Sequence, residues 1–153
     1  MITLQVMIIR FLAALALGAL MGFERERIGK EAGVRTLMLV SGGAAVFIIA
    51  SLVIPFVTGP AAQDASMAVT TDFARVLANI VVGVGFLGAG IIIKTDERIH
   101  GLTTSANVWM AAAVGSLAGA GLISFAIVVA VVVTVLLFVL HNAHFNPDDK
   151  SSK

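Results

Sequence analysis

Cysteine is absent from the 153 residues, which excludes disulfides, thiolate catalysis and cysteine-ligated metal or iron–sulfur centres. Charge is scarce. Only 12% of residues are Asp, Glu, Lys or Arg against 59% hydrophobic, and the mean hydropathy is +1.04. A soluble domain of this length needs far more polar surface, so the composition specifies an integral membrane protein with room for one bundle. No carboxylate falls near the middle of any apolar run. Ion-coupled carriers commonly need one there, which argues against a secondary transporter, although a pore lined by carbonyls or amides escapes that objection. Also missing are a nucleophile–base pair and a metal-ligand set. His141 and His144, at i, i+3, are too few ligands for a metal and read as interfacial tail residues. No enzyme, no cofactor and no nucleic-acid partner are therefore expected.

What is present is a series of membrane-length apolar runs. The first covers about Leu4–Phe23 and stops at Glu24-Arg25-Glu26-Arg27. It reads as a retained helix rather than a secretory signal, because the one basic residue ahead of its end, Arg10, falls inside the apolar core. The second covers about Thr36–Ile54, and the third about Asp72–Ile93 after a loop of small and polar residues. Ser105–Leu140 then runs 36 residues without a charge. As one helix it would be about 54 Å long, too long for a hydrocarbon core of about 30 Å. A break at Gly119-Ala120-Gly121 makes it a hairpin. The expectation is an all-α polytopic bundle of five transmembrane helices over residues 1–141, followed by a short cytoplasmic tail, 142–153.

Charge placement sets the orientation. The loops 24–35 and 94–104 and the tail hold eight of the ten basic residues: Arg25, Arg27, Lys30, Arg35, Lys94, Arg98, Lys150 and Lys153. The opposite side holds Arg75. The positive-inside rule then puts the N-terminus outside and the C-terminus in the cytoplasm.

Four glycines, Gly83, Gly85, Gly88 and Gly90, lie between Asn79 and Lys94. The letters Gly83-x-Gly85-x-x-Gly88 spell a dinucleotide fingerprint, but that motif needs a preceding strand and a following amphipathic helix. Inside a membrane span, small residues instead let helix backbones approach. Gly18 and Gly22 form a GxxxG pair on the first span, and Ala111, Gly115 and Gly119 form a stripe on the fourth. The fifth is branched and bulky, so spans one to four are expected to form the core. The fifth is left to face lipid or a second copy.

Polar groups at depth are costly and stand out. On the third span Asp72, Arg75, Asn79, Gly83, Phe86 and Gly90 share one face. Arg10 and this Asp72–Asn79 patch fall in the same half of the membrane, which suggests a buried cluster; the alternative is that Arg10 snorkels. Glu24, Arg25, Glu26, Lys30, Glu31 and Arg35 face Lys94, Asp96, Glu97, Arg98 and His100 across the inner side. Such mixed charge reads as a solvated rim. Gly101 to Ser105, with Thr103 and Thr104, reads as a turn followed by helix N-caps, and Asn107 and Trp109 fall near the inner interface.

GALMGFERE (Gly18–Glu26), GVRTLMLV (Gly33–Val40, containing Arg35 and Thr36), GVGFLGAGIIIK (Gly83–Lys94) and GLTTSANVWMAAAVG (Gly101–Gly115) together resemble the MgtC/SapB family of bacterial inner-membrane proteins. Where that family opens its third span with Asp-Pro-x-Arg and a Gln four residues on, this chain has Asp72, Phe73, Arg75 and Asn79. Leu37 stands where a His commonly follows the arginine-threonine pair. The resemblance is to short SapB-like members, without the soluble C-terminal domain of MgtC proper. It implies a multi-pass, non-enzymatic protein linked to magnesium homeostasis and, in pathogens, to virulence. It also implies action through other inner-membrane proteins, the ATP synthase among them. Membrane lipid and a homo-oligomer are further expected partners. The alternative is an oligomeric channel or transporter lined by the polar and glycine face of the third span.

Overall fold

A computed structural model describes residues 2–57, 73–96 and 98–142. These residues form five helices: α1 (Leu4–Arg27), α2 (Val34–Val57), α3 (Phe73–Ile91), α4 (Leu102–Ala120) and α5 (Ile123–Asn142). Two short antiparallel strands, β1 (Ile93–Lys94) and β2 (Ile99–His100), join α3 to α4 and pair Ile93 with His100 and Lys94 with Ile99. α1 carries its helix through the charged turn to Arg27. α2 continues through Pro55 into its final turn, where the missing N–H costs one ladder bond near an end.

The long apolar run does break at the glycines. Gly121 takes a left-handed conformation (φ 94°) that closes α4, and the N–H groups of Gly121 and Leu122 donate back to Ala118 O and Leu117 O. This is the double-bonded glycine cap that ends a helix sharply. At the other end of α4 the expectation of threonine caps is corrected. The helix starts at Leu102 from left-handed Gly101, whose carbonyl takes the Ser105 N–H, and the cap position makes no side-chain hydrogen bond. Thr103 and Thr104 lie inside the first turn.

α1, α2 and α4 form the centre. A β-carbon at Gly18 would fall 2.5 Å from Leu37 O, and one at Gly119 would fall 2.7 Å from Ala45 O. At Gly115 it would collide with Ser41 O outright. Ser41 Oγ also donates to Ala14 O (2.8 Å), tying α2 to α1 within the buried interior. Met21, Leu37, Val108 and Val114 fill the space around these contacts.

α4 differs from the other helices in lacking a stretch apolar enough to count as a membrane span on composition alone. Four helices, α1, α2, α3 and α5, are long and apolar enough to cross a membrane on composition alone. α4 has α3's 19 residues but carries Thr104, Asn107 and Ser116, all buried. Its surroundings are other helices, so it has little need of lipid compatibility.

α5 is largely exposed, as expected, and the departure from the expected four-helix core lies in α3. α5 docks on α1 and α4 through Ala126 and Ala130, both fully buried, so two alanines one turn apart suffice for close approach. α3 is as peripheral as α5: it leans mainly on α4, and of its residues only Gly88 is buried.

Candidate functional site

Two polar features stand out among the described residues, one on the exposed face of α3 and one at the end where α1 and α5 finish. On α3, Gly88 faces inward, and a β-carbon there would lie 2.6 Å from Ser105 Oγ. At 100° per residue, Asn79, Gly83, Phe86 and Gly90 fall on the opposite side. All four are exposed, Phe86 at 83%. A β-carbon at Gly83, Gly85 or Gly90 would meet nothing within 4 Å among the described residues. Between this face and α2 runs a groove of about 630 Å³, lined by Leu39, Gly43, Phe47, Asn79, Gly83 and Leu87. Its one strongly polar group is the Asn79 amide.

At the other feature, Glu24 and Arg25 are buried on the last turns of α1. Glu24 Oε2 and Arg25 Nε lie 3.3 Å apart, yet neither atom makes a hydrogen bond among the described residues. Glu26 turns the other way and its Oε2 accepts the Val34 N–H at 2.8 Å, supplying an anionic cap to the start of α2. Glu31 Oε2 accepts the Thr104 hydroxyl at 3.2 Å, joining the α1–α2 loop to α4. Its own backbone hydrogen bond, against the effect of burial and aided by Thr104, Lys30 and His100, holds the Glu31 carboxyl below the usual carboxylate range. One turn further along α4, Asn107 is 3% exposed, and neither amide atom has a partner among the described residues. Around Glu24, Arg25, Lys30, Glu31, His100 and Thr104 lies a cavity of about 520 Å³. Among the described residues no three carboxylate, histidine or cysteine side chains converge to hold a metal.

The model of the MgtC family matches residues 11–145. The chain belongs to the MgtC family. It is 46% identical to Protein MgtC of Brucella abortus over 118 residues, 77% of this chain and 44% of that protein. It is 38% identical to the Escherichia coli K12 protein named "Putative magnesium transporter YhiD" over 149 residues, 97% of this chain and 66% of that one. Protein SrpB of Synechococcus elongatus is 39% identical over 121 residues, 74% of this chain and 63% of its own length. The chain thus spans between 44% and 66% of the length of these curated relatives. No solved structure matches it.

In this MgtC-family bundle the expected site residues separate into distinct places. Gly18, Gly22 and Gly115 lie in the α1–α2–α4 packing and Gly88 in the α3–α4 packing, while Gly83, on the α2–α3 groove, and Gly85 and Gly90 are exposed with open space around them. Arg10 Nη1 donates to Gly119 O at 3.0 Å, capping the end of α4, and its guanidinium occupies the space left by the missing side chain of Gly121. Asp72 lies outside the described residues. Asn79 and Arg75 are exposed on α3, and the structure does not bring Arg10 to them. Glu24, Arg25, Gly101, Thr103 and Thr104 line the polar cavity. Arg35, Thr36 and Lys94 are exposed near it in sequence, and Trp109 lines a separate apolar cavity between α3 and α4. Sequence reading missed the acidic caps: nothing local marks Glu26 for α2 or Glu31 for Thr104, because both contacts depend on how the helices pair. Asn107, expected near the interface, is enclosed.

Proposed function

We propose that this chain is a non-enzymatic inner-membrane protein of magnesium homeostasis that acts by lateral contact between α3 and another membrane complex. The observation that carries the reading is the exposed face Asn79–Gly83–Phe86–Gly90 on a helix of which only Gly88 is buried. In hydrocarbon an exposed amide has no water to bond, and exposed glycines offer backbone that only a second helix approaches closely. The name carried by the E. coli relative supports the magnesium link, and the proton-translocating ATP synthase is the partner that the family resemblance suggests.

Crosslinking with mass spectrometry on native membranes tests this, comparing wild type with Gly83→Leu plus Gly90→Leu. Both positions have open space, so the bundle should fold and the protein level should hold while a specific partner is lost. An unchanged partner set at unchanged level sinks the reading. The Asn79 amide in the α2–α3 groove also favours a second reading, an oligomeric channel lined by α3. Purified protein in liposomes separates the two: an ion flux abolished by Asn79→Leu supports the channel, and no selective flux supports lateral contact.

A further inference from the structure

The polar cavity sits where α1 and α5 end and α4 begins, which is interfacial depth for helices of this length. Its lining carries charges of both signs, with the imidazoles of His100 and His141 beside them. Glu24 and Glu31 supply two carboxylates, and Arg25 and Lys30 two fixed cations. A simple anion would meet both carboxylates and a simple cation both basic groups, so neither alone suits the lining. Leu137 and Leu140 of α5 supply an apolar side, and Leu140 is 61% exposed.

Glu24 and Arg25, 8% and 4% exposed, line this cavity, and the two atoms by which they approach each other carry no hydrogen bond among the described residues. A buried ion pair with unmade hydrogen bonds is costly, and a ligand that presents both a donor and an acceptor relieves it. Glu31, held in its ionised form by the contacts described above, adds a second carboxylate at the rim.

We propose that this cavity binds the zwitterionic headgroup of phosphatidylethanolamine, its ammonium against Glu24 and Glu31, its phosphate against Arg25 and Lys30, and an acyl chain along Leu137 and Leu140. The recognised chemistry is an ammonium two carbons from a phosphate ester. The apolar side and the depth assign it to the lipid rather than to soluble phosphoethanolamine. The site is separate from the α3 face, so it stands or falls independently of the function proposed above.

Native mass spectrometry of the full chain released from nanodiscs of equal phosphatidylethanolamine, phosphatidylglycerol and phosphatidylcholine decides the matter. Phosphatidylethanolamine should be retained about fivefold over the other two, because phosphatidylglycerol lacks the ammonium and phosphatidylcholine has no N–H to donate. Glu31→Gln and Lys30→Gln, both at exposed positions, should each lower that retention about fivefold with the thermal midpoint unchanged. Millimolar phosphoethanolamine should not displace the lipid. Equal retention of the three lipids overturns the proposal, as does retention indifferent to both substitutions, or displacement by the soluble ester. Should either variant fail to fold, the lipid comparison on the wild-type chain decides alone.

Discussion

Arg10 shows how a charge within a membrane span is accommodated by a single contact. A lone guanidinium among apolar residues is unfavourable, and α4 ends at the same depth with unsatisfied carbonyls and a negative dipole end. The hydrogen bond to Gly119 O brings these two liabilities together, and the bare Gly121 leaves room for the planar group. A hydrogen bond to a charged group contributes about 1.5–3 kcal/mol. Arg10→Ala should therefore lower the stability of the purified protein by about 1–3 kcal/mol, visible as a reduced thermal midpoint in detergent. Arg10→Lys should fall between, since it keeps the charge but loses the fork. Midpoints equal to wild type in both variants would mean that Arg10 merely snorkels. The depth of Arg10 is legible in the sequence, as is the glycine turn. Their contact is not, because it spans 109 positions and depends on α1 lying antiparallel to α4.

Glycine is used in two opposed ways by neighbouring elements. Along α4, Gly115 and Gly119 press against the α2 backbone, so any side chain must drive the helices apart. Along α3, Gly83 and Gly90 press against nothing described. Gly115→Ala should accordingly cost about 1–3 kcal/mol through overpacking, whereas Gly83→Ala should leave stability level or raise it by about 0.5–1 kcal/mol through reduced backbone entropy. Thermal unfolding of the two variants beside wild type checks the contrast, and similar losses in both would contradict this arrangement of α3. The helix count and the break at Gly121 follow from length and glycine density, both local properties. Which face of α3 turns inward does not. Gly83, Gly88 and Gly90 are equivalent as letters, and only the position of Ser105 on α4 separates them.

At the scale of the whole molecule, contacts sort the loops into two ends. The Glu31–Thr104 hydrogen bond and the cavity shared by Glu24, Lys30, His100 and His141 gather the α1–α2 loop, the β1–β2 hairpin and the close of α5 at one end. Arg10, Gly119 and Gly121 mark the other end. Basic residues crowd the first end, where Arg25, Arg27, Lys30, Arg35, Lys94 and Arg98 all belong, so the positive-inside rule predicts that this end is cytoplasmic. The lack of native cysteine makes this directly measurable with single-cysteine variants and a membrane-impermeant maleimide. Thr3→Cys, ahead of α1, and Leu122→Cys, in the α4–α5 turn and 54% exposed, should label in intact spheroplasts. Asp96→Cys, in the hairpin, should label only after permeabilisation. Labelling of Leu122→Cys is the sharper result, since that position reaches the outer surface only if α4 crosses the membrane despite its polar residues. Protection of Leu122→Cys together with labelling of Asp96→Cys in intact cells would invert the bundle. Protection of both Thr3→Cys and Leu122→Cys would remove the outer end altogether, and with it the five-crossing arrangement on which the interfacial depth of the polar cavity depends.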